Sequence, residues 1–331
     1  MQPIAGKART YEVVTIAGVF TLDEKNNIVN YEKFPKDPEQ IAENMKKSGS
    51  RRTDEAKEQF VRQNLRELAV KYGFVKDQLE FNKLMTKVNI ALAKTEIKKA
   101  IGKDSLVVQL NGSLEELDKS INILIERLRE FYSLHFPEMD RAIDDHEMYA
   151  KLVAQFGSRE NMESPDLRKL AERSMGANLE KEDIAVVQEF AAKILGLHEL
   201  RKDLEKYLDR LLSEVAPNLK AVAGPQIAGK LIARAGGLDK LARMPSSTIQ
   251  LLGAEKALFR HLHGHGKSPK HGIISTHPLV QNAPKELKGK VARLLASKLS
   301  IAAKLDNYSK KNQSERLKRE LQEKIKELAK K

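Results

Sequence analysis

The pattern of apolar positions changes along this chain. Near the N-terminus, Tyr11 to Leu22 (YEVVTIAGVFTL) is rich in β-branched residues, is bounded by polar clusters and predicts a strand run. Ile28 to Phe34 follows the polar loop Asp23-Glu24-Lys25-Asn26-Asn27, which predicts a hairpin. Asp37-Pro38 is a helix start, with Asp as N-cap and Pro at the first helical position. A second helix is expected over Thr53 to Tyr72, with Phe60, Val61, Leu65 and Leu68 as its buried stripe and Gly73 closing it. A third runs from Leu79 to Ile101, and Leu106 to Leu110 (LVVQL) reads as a short buried strand. Residues 1–112 are thus expected to form a small α/β docking domain. They contain no His, and their acids are scattered, so no catalytic constellation is visible.

A period of about 3.5 then sets in. Leu114, Leu117, Ile121, Leu124, Leu128 and Phe131 alternate spacings of three and four, with Ser113 and Glu116 as a capping box ahead of them. A longer run follows: Val187, Phe190, Ile194, Leu197, Leu204, Leu208, Leu211 and Val215, broken only by Arg201. Turn signals at His135-Phe136-Pro137, Phe156-Gly157-Ser158 and Ser164-Pro165 lie between the runs. Residues 113–216 therefore predict a coiled-coil hairpin whose second seam pairs with another copy of the chain; an ordinary helical bundle uses the same spacing. From Ala216-Pro217-Asn218 onward, short Gly- and Ala-rich helices are expected, with Gly236-Gly237 as a helix cap and Ala283 to Leu305 as the longest helix. Residues 217–306 form this all-α globule. Residues 307–331 are almost purely charged and predict a marginal helix or a disordered basic arm. The fold class expected is mostly α, with a small N-terminal α/β domain, a central coiled coil and an all-α C-terminal domain.

Charge sharpens this division. The net charge is +13 over 331 residues. Residues 217–331 carry 24 Lys+Arg against 8 Asp+Glu, whereas residues 113–216 carry 15 against 23. An acidic spacer before a basic third is the pattern of a polyanion-binding module. With no Cys there is no disulfide and no thiolate chemistry. No apolar run reaches 18 residues and no signal segment is visible, so a soluble, cytoplasmic protein with no membrane partner is expected.

Candidate chemistry concentrates in Gly253 to Gln281. A helix carrying Lys256 and Arg260 on one face gives way to a loop with Lys267, Lys270 and His271 and no acid. Basic side chains without acids suit a phosphate backbone; a solvated basic loop has the same composition. His261, His263 and His265 alternate, but at a helix end neighbours two apart diverge and no carboxylate follows within ten residues. No metal site is expected. Nucleotide-binding glycine loops and nucleophile elbows are absent from the sequence.

The runs APNLKAVAGPQIAGKLIARAGGLDKLARMPSSTIQ, LLGAEKALFRHL and SPKHGIISTHPLVQNAPKELKGKVARLLASKLSIAAKLD resemble the Nop domain. The match extends from about Asn178 to Tyr308, and Leu128 to Met139 (LREFYSLHFPEM) is similar to the family's coiled-coil segment. The short tail fits the archaeal members, core proteins of box C/D small ribonucleoproteins. The resemblance implies a non-catalytic scaffold. Its Nop domain would bind kink-turn guide RNA together with a small ribosomal-type protein. Its coiled coil would self-associate, and its N-terminal domain would hold fibrillarin, the RNA 2′-O-methyltransferase. Cofactors of its own would be none, since S-adenosylmethionine belongs to the partner enzyme. Carried onto this chain, the RNA-facing residues are Gly253, Ala254, Glu255, Lys256, Arg260, Lys267, Lys270, His277, Gln281, Lys285 and Arg293. Glu255 is the odd member, which could orient Lys256, accept from RNA or cap a helix. Two other readings stay open at this stage. ARAGGLDKLARMP resembles a helix-hairpin-helix turn, which would contact DNA phosphates through backbone N–H groups. A purely structural coiled-coil adaptor is the second.

Overall fold

The computed structural model describes residues 10–48 and 54–329, and the chain divides after Ile101 into two compact units. The first unit opens with β1 (Tyr11–Thr15), β2 (Gly18–Leu22) and β3 (Ile28–Lys33), an antiparallel meander in that order. The expected single run over 11–22 is broken by a two-residue turn at Ile16-Ala17. Thr15 explains the break: its hydroxyl donates to Gly18 O (3.0 Å) and accepts from Ala17 N–H (3.2 Å). The second turn is closed by Asp23, whose Oδ1 accepts from the N–H groups of Lys25 and Asn27, both at 2.8 Å. Three helices cover the sheet: α1 (Pro38–Ser48), α2 (Glu55–Lys71) and α3 (Gln78–Ala100). Asp54 caps α2 and Asp77 caps α3, each accepting a backbone N–H of the first turn. Thr53, the expected start of α2, lies outside the described residues. Val13, Phe20 and Leu22 of the sheet bury against Val61, Leu65 and Leu68 of α2 and Phe81 and Val88 of α3.

The second unit begins with α4 (Lys103–Tyr132), capped by Gly102. LVVQL is therefore helical, not a strand, because Val107 and Leu110 occupy one helical face against the C-terminal globule. Ser113 accordingly sits in mid-helix and caps nothing, and the boundary expected after residue 112 falls inside α4. Beyond α4 come α5 (Pro137–Ala142), α6 (His146–Phe156), α7 (Pro165–Glu172) and α8 (Lys181–Val215). At 1.5 Å per residue α4 and α8 are roughly 45 and 52 Å long. They pair antiparallel, as shown by ion pairs between Lys103 and Glu214 near one end and Arg201 and Asp118 further along. Arg201, the break in the long heptad run, also pairs with Glu205 at 3.1 Å, so its charge is met at the seam.

That pairing redirects the seam. Val187 and Ile194 bury against Ile125, Leu128 and Tyr132 and the short helices α5 to α7. Leu208 and Leu211 bury against the globule, with Leu204 packed beside them. Phe190 is half-buried in the first cluster, and Leu197 is half-buried along the hairpin. The residues expected to mate two copies thus form the hairpin of one chain. On α4 the register drifts: Ile121, Ile125, Leu128 and Tyr132 are buried, while Phe131 faces outward. A helix of 3.6 residues per turn moves off a 3.5 repeat by about 20° per heptad, which turns the stripe toward the residue after each expected position.

The globule comprises α9 (Pro217–Ala223), α10 (Pro225–Ala235), α11 (Leu238–Arg243), α12 (Ser246–Leu251), α13 (Glu255–Leu262), α14 (Pro278–Gln281), α15 (Lys288–Lys304) and α16 (Ser314–Ala329). The central helix is α15, with Val291, Ala292, Leu295, Ala296 and Leu299 buried. Of the two expectations for the tail, a marginal helix or a disordered arm, helix α16 bears out the helix, and core packing holds it. Leu317 and Leu321 are sealed into the core, and Lys298, itself buried, pairs with Glu320. Among the described residues no helix is long and apolar enough to cross a membrane.

Candidate nucleic-acid interface

The turn from α12 into α13 is built on Gly253. Its φ of +89° is a left-handed conformation, and a Cβ there would lie 2.6 Å from Ile273 Cγ1. Glu255 folds back to accept the Gly253 N–H at 2.7 Å and faces Arg234 at 3.7 Å. Of the three roles open to Glu255, the structure shows capping of this turn. Its carboxyl is held below the usual range by that N–H, against the opposing effect of burial. Ala254 is half-buried at the first position of the helix cap.

Helix α13 carries no buried residue. Lys256 and Arg260 are exposed on it, and Phe259 and Leu262 are 62% and 73% exposed. The Phe259 ring lies 4.0 Å, centroid to centroid, from that of His263. Ala257 and Leu258 are half-buried, so the helix is covered on one side only and leaves Phe259 and Leu262 in solvent.

The loop after α13 returns to the same place. Gly272 N–H donates to Gln250 O and Ile273 N–H to Leu252 O, both at 2.8 Å, while Gln250 Nε2 donates to Lys270 O at 2.7 Å. Inside the loop, His261 Nδ1 lies 3.0 Å from Gly266 O, and His263 Nδ1 lies 2.9 Å from Phe259 O. These histidines order the loop. Lys267 and Lys270 stay exposed, and Lys270 runs beside Gly289 at the start of α15. Among the described residues no acid is within ion-pair distance of Lys256, Arg260, Lys267 or Lys270. Four cations without internal partners therefore share one turn–helix–loop segment.

The other expected residues divide. Gln281 is exposed at the end of α14, Lys285 precedes α15 and Arg293 lies on its outer side, so all three fall outside the α13 segment. His277 is a correction. It is 8% exposed, with Nε2 3.1 Å from Val222 O and Nδ1 accepting the Leu279 N–H at 3.1 Å. Both ring nitrogens are committed, so His277 caps α14 from inside and presents no face to RNA.

This geometry fixes a pH dependence. Nδ1 can accept only in the neutral ring, and burial holds the imidazole below its usual value. The folded state then binds fewer protons than the unfolded chain. Stability from this site is present above about pH 6.5, the unfolded histidine value, and is lost as pH falls below it. Thermal melts from neutral to mildly acidic pH should show a steeper loss for the native chain than for His277→Gln, which cannot titrate. Parallel curves would contradict the cap assignment.

The turn Gly236-Gly237 between α10 and α11 is also occupied. The Leu238 N–H there donates to Asp104 Oδ2 at 3.0 Å. A carboxylate already fills the position a DNA phosphate would take, so this turn is not arranged as a helix-hairpin-helix anion site.

Comparison with known proteins agrees with the segment's pattern. Residues 113–330 match the family model Nop, described as "snoRNA binding domain, fibrillarin". A NOP5 family protein of Methanocaldococcus jannaschii is 45% identical over 261 residues, covering 75% of this chain and 63% of that protein. Nucleolar protein 58 of Aspergillus fumigatus is 40% identical over 229 residues, covering 65% of this chain and 39% of the relative. The chain thus spans less than two thirds of the length of these relatives. The crystal structure of a fibrillarin/Nop5p complex aligns over 96% of this chain and 99% of that one, at 27% identity and a TM-score of 0.46. With two thirds of its length matched by that family model, the chain belongs to the Nop family.

Proposed function

We propose that this chain is the scaffold of a box C/D guide ribonucleoprotein. Its globule grips kink-turn RNA already bound by a small ribosomal-type protein. Its N-terminal unit, residues 10–101 of the described chain, carries fibrillarin, and fibrillarin methylates a ribose 2′-OH using its own S-adenosylmethionine. The chain performs no chemistry and positions the enzyme that does. Self-association falls to apolar residues the hairpin leaves outside, such as Ile123, Val186 and Leu200, all exposed.

The observation that carries this reading is the α13 segment. Phosphate contacts need cations without internal partners, and Lys256, Arg260, Lys267 and Lys270 supply them. A protein–RNA composite also needs apolar area, and Phe259 and Leu262 supply it. Replacing Lys267 and Lys270 together by Ala should weaken binding to the kink-turn RNA–protein complex. The plot of log affinity against log salt should flatten by ~1–2 units, because each lost phosphate contact removes roughly one or a little less. The loss should be the same for different guide sequences, since phosphates carry no base identity. An unchanged affinity and slope would return the loop to an ordinary solvated surface.

A further inference from the structure

A cleft of about 350 Å³ runs between α4 and α10 and opens at the Gly253 turn. One wall carries Lys230 and Arg234, exposed residues one helical turn apart on α10. The opposite wall is α4, at Asn111, Gly112 and Glu115. Neither acid near the cleft is idle. Glu115 accepts from the buried amide of Asn111 at 3.1 Å, and Glu255 caps Gly253. Lys230 has no ion-pair partner among the described residues, and Arg234 has only Glu255, at 3.7 Å.

Gly112 is, with Gly196 of α8, a mid-helix glycine that packing does not explain, and it alone of the two lines this cleft. It lies within a 30-residue helix, where Gly costs about 1 kcal/mol relative to Ala. Packing does not require it, because a Cβ built there meets nothing within 4 Å. Gly229, by contrast, lies where a Cβ would press on Leu208 at 3.2 Å. A glycine facing open space beside two cations leaves the helix surface clear for another molecule.

We propose that this cleft holds the sugar–phosphate backbone of a single RNA strand leaving the kink-turn interface, with Lys230 and Arg234 on its phosphates. The proposal rests on the RNA-binding reading above and extends it from the Gly253 turn to the hairpin. The cleft's volume of about 350 Å³ is small beside a duplex and matches a single strand better. None of its lining residues is aromatic, so it has no stacking platform and reads backbone, not bases.

The test uses the full chain and two RNAs, each with the small kink-turn protein bound: a kink-turn stem alone, and the same stem with a single-stranded extension. Lys230→Ala/Arg234→Ala should weaken binding of the extended RNA roughly tenfold and flatten its salt plot by about 1.4, two single-strand contacts at about 0.7 each. Gly112→Leu should weaken the extended RNA with its salt slope kept, while its melting temperature stays at or above the native one, since Leu is the better helix former. Both variants should bind the stem alone like the native chain. If both also bind the extended RNA like the native chain, the cleft assignment is wrong and the RNA-binding reading stands. Equal losses on the two RNAs would overturn the single-strand assignment. A native chain that binds neither RNA overturns both readings.

Discussion

Leu208→Asp is expected to unfold the second unit and not merely to separate two copies of it. Leu208 is 2% exposed, and its methyls pack where α8 meets α10 and the interior of the globule. Truncation to Ala at such a site costs about 2–5 kcal/mol, as transfer and cavity terms add. An aspartate adds an unpaired buried charge, worth several kcal/mol more. Domains of this kind hold about 5–15 kcal/mol in total, so the sum approaches the whole. Helical signal on heating, with sedimentation at the same concentration, separates the two outcomes. Loss of the cooperative melt is the expected result. A variant that melts like the native chain but has half its mass would restore the seam to an interface between copies.

Asp306→Ala should have the next largest effect. This buried carboxylate accepts from the N–H groups of Asn218 (3.0 Å) and Leu219 (2.8 Å), which open α9, and from Asn218 Nδ2 (2.6 Å). Asn218 in turn donates to Lys311 O at 2.9 Å and accepts the Gln313 N–H at 2.6 Å, which fixes the segment leading into α16. Removing the acid orphans three buried donors, each costing about 1–3 kcal/mol. Relaxation shares that cost, so a loss of ~3–5 kcal/mol is expected from the same range. Denaturant unfolding should report it as a lower midpoint, and amide exchange in α16 should accelerate. A change below ~1 kcal/mol, the worth of a single ordinary hydrogen bond, would contradict the network's role.

The N-terminal unit was legible because its signals are local. Asp37-Pro38, the Asp23 turn and the Val61–Leu68 stripe each act within a few residues of themselves. LVVQL failed as a strand for the opposite reason: Val107 and Leu110 are organised by Leu231 and its neighbours, more than a hundred residues away. The heptads predicted the hairpin that α4 and α8 form, but not that Val187 and Ile194 are used up inside it. Val187 and Ile194 look alike whether they meet α4 or a second copy. The tail's charge left a marginal helix and a disordered arm both open, and the helix forms because Leu317 and Leu321, though few, sit where the core accepts them.

At the candidate interface, residue type carried the basic members well. Lys256, Arg260, Lys267 and Lys270 are on the surface, as a basic segment with Glu255 as its one acid implies. His277 was misread because a buried cap and an RNA contact use the same side chain, and only its partners, Val222 O and Leu279 N–H, tell them apart. Phe259 and Lys230 were invisible for a related reason: exposure and the shape of a cleft arise from packing between distant segments.

The scaffold role is tested most directly by reconstituted methyl transfer. Fibrillarin, the small kink-turn protein, a box C/D guide RNA, labelled S-adenosylmethionine and a complementary target RNA are combined with and without this chain. Label should enter the target at the guided ribose only when the chain is present. It should be lost when residues 10–101 are deleted, because on the proposed reading that unit holds the enzyme while the rest holds the RNA. Equal, guided labelling without the chain, or full labelling with the deletion, would contradict the account.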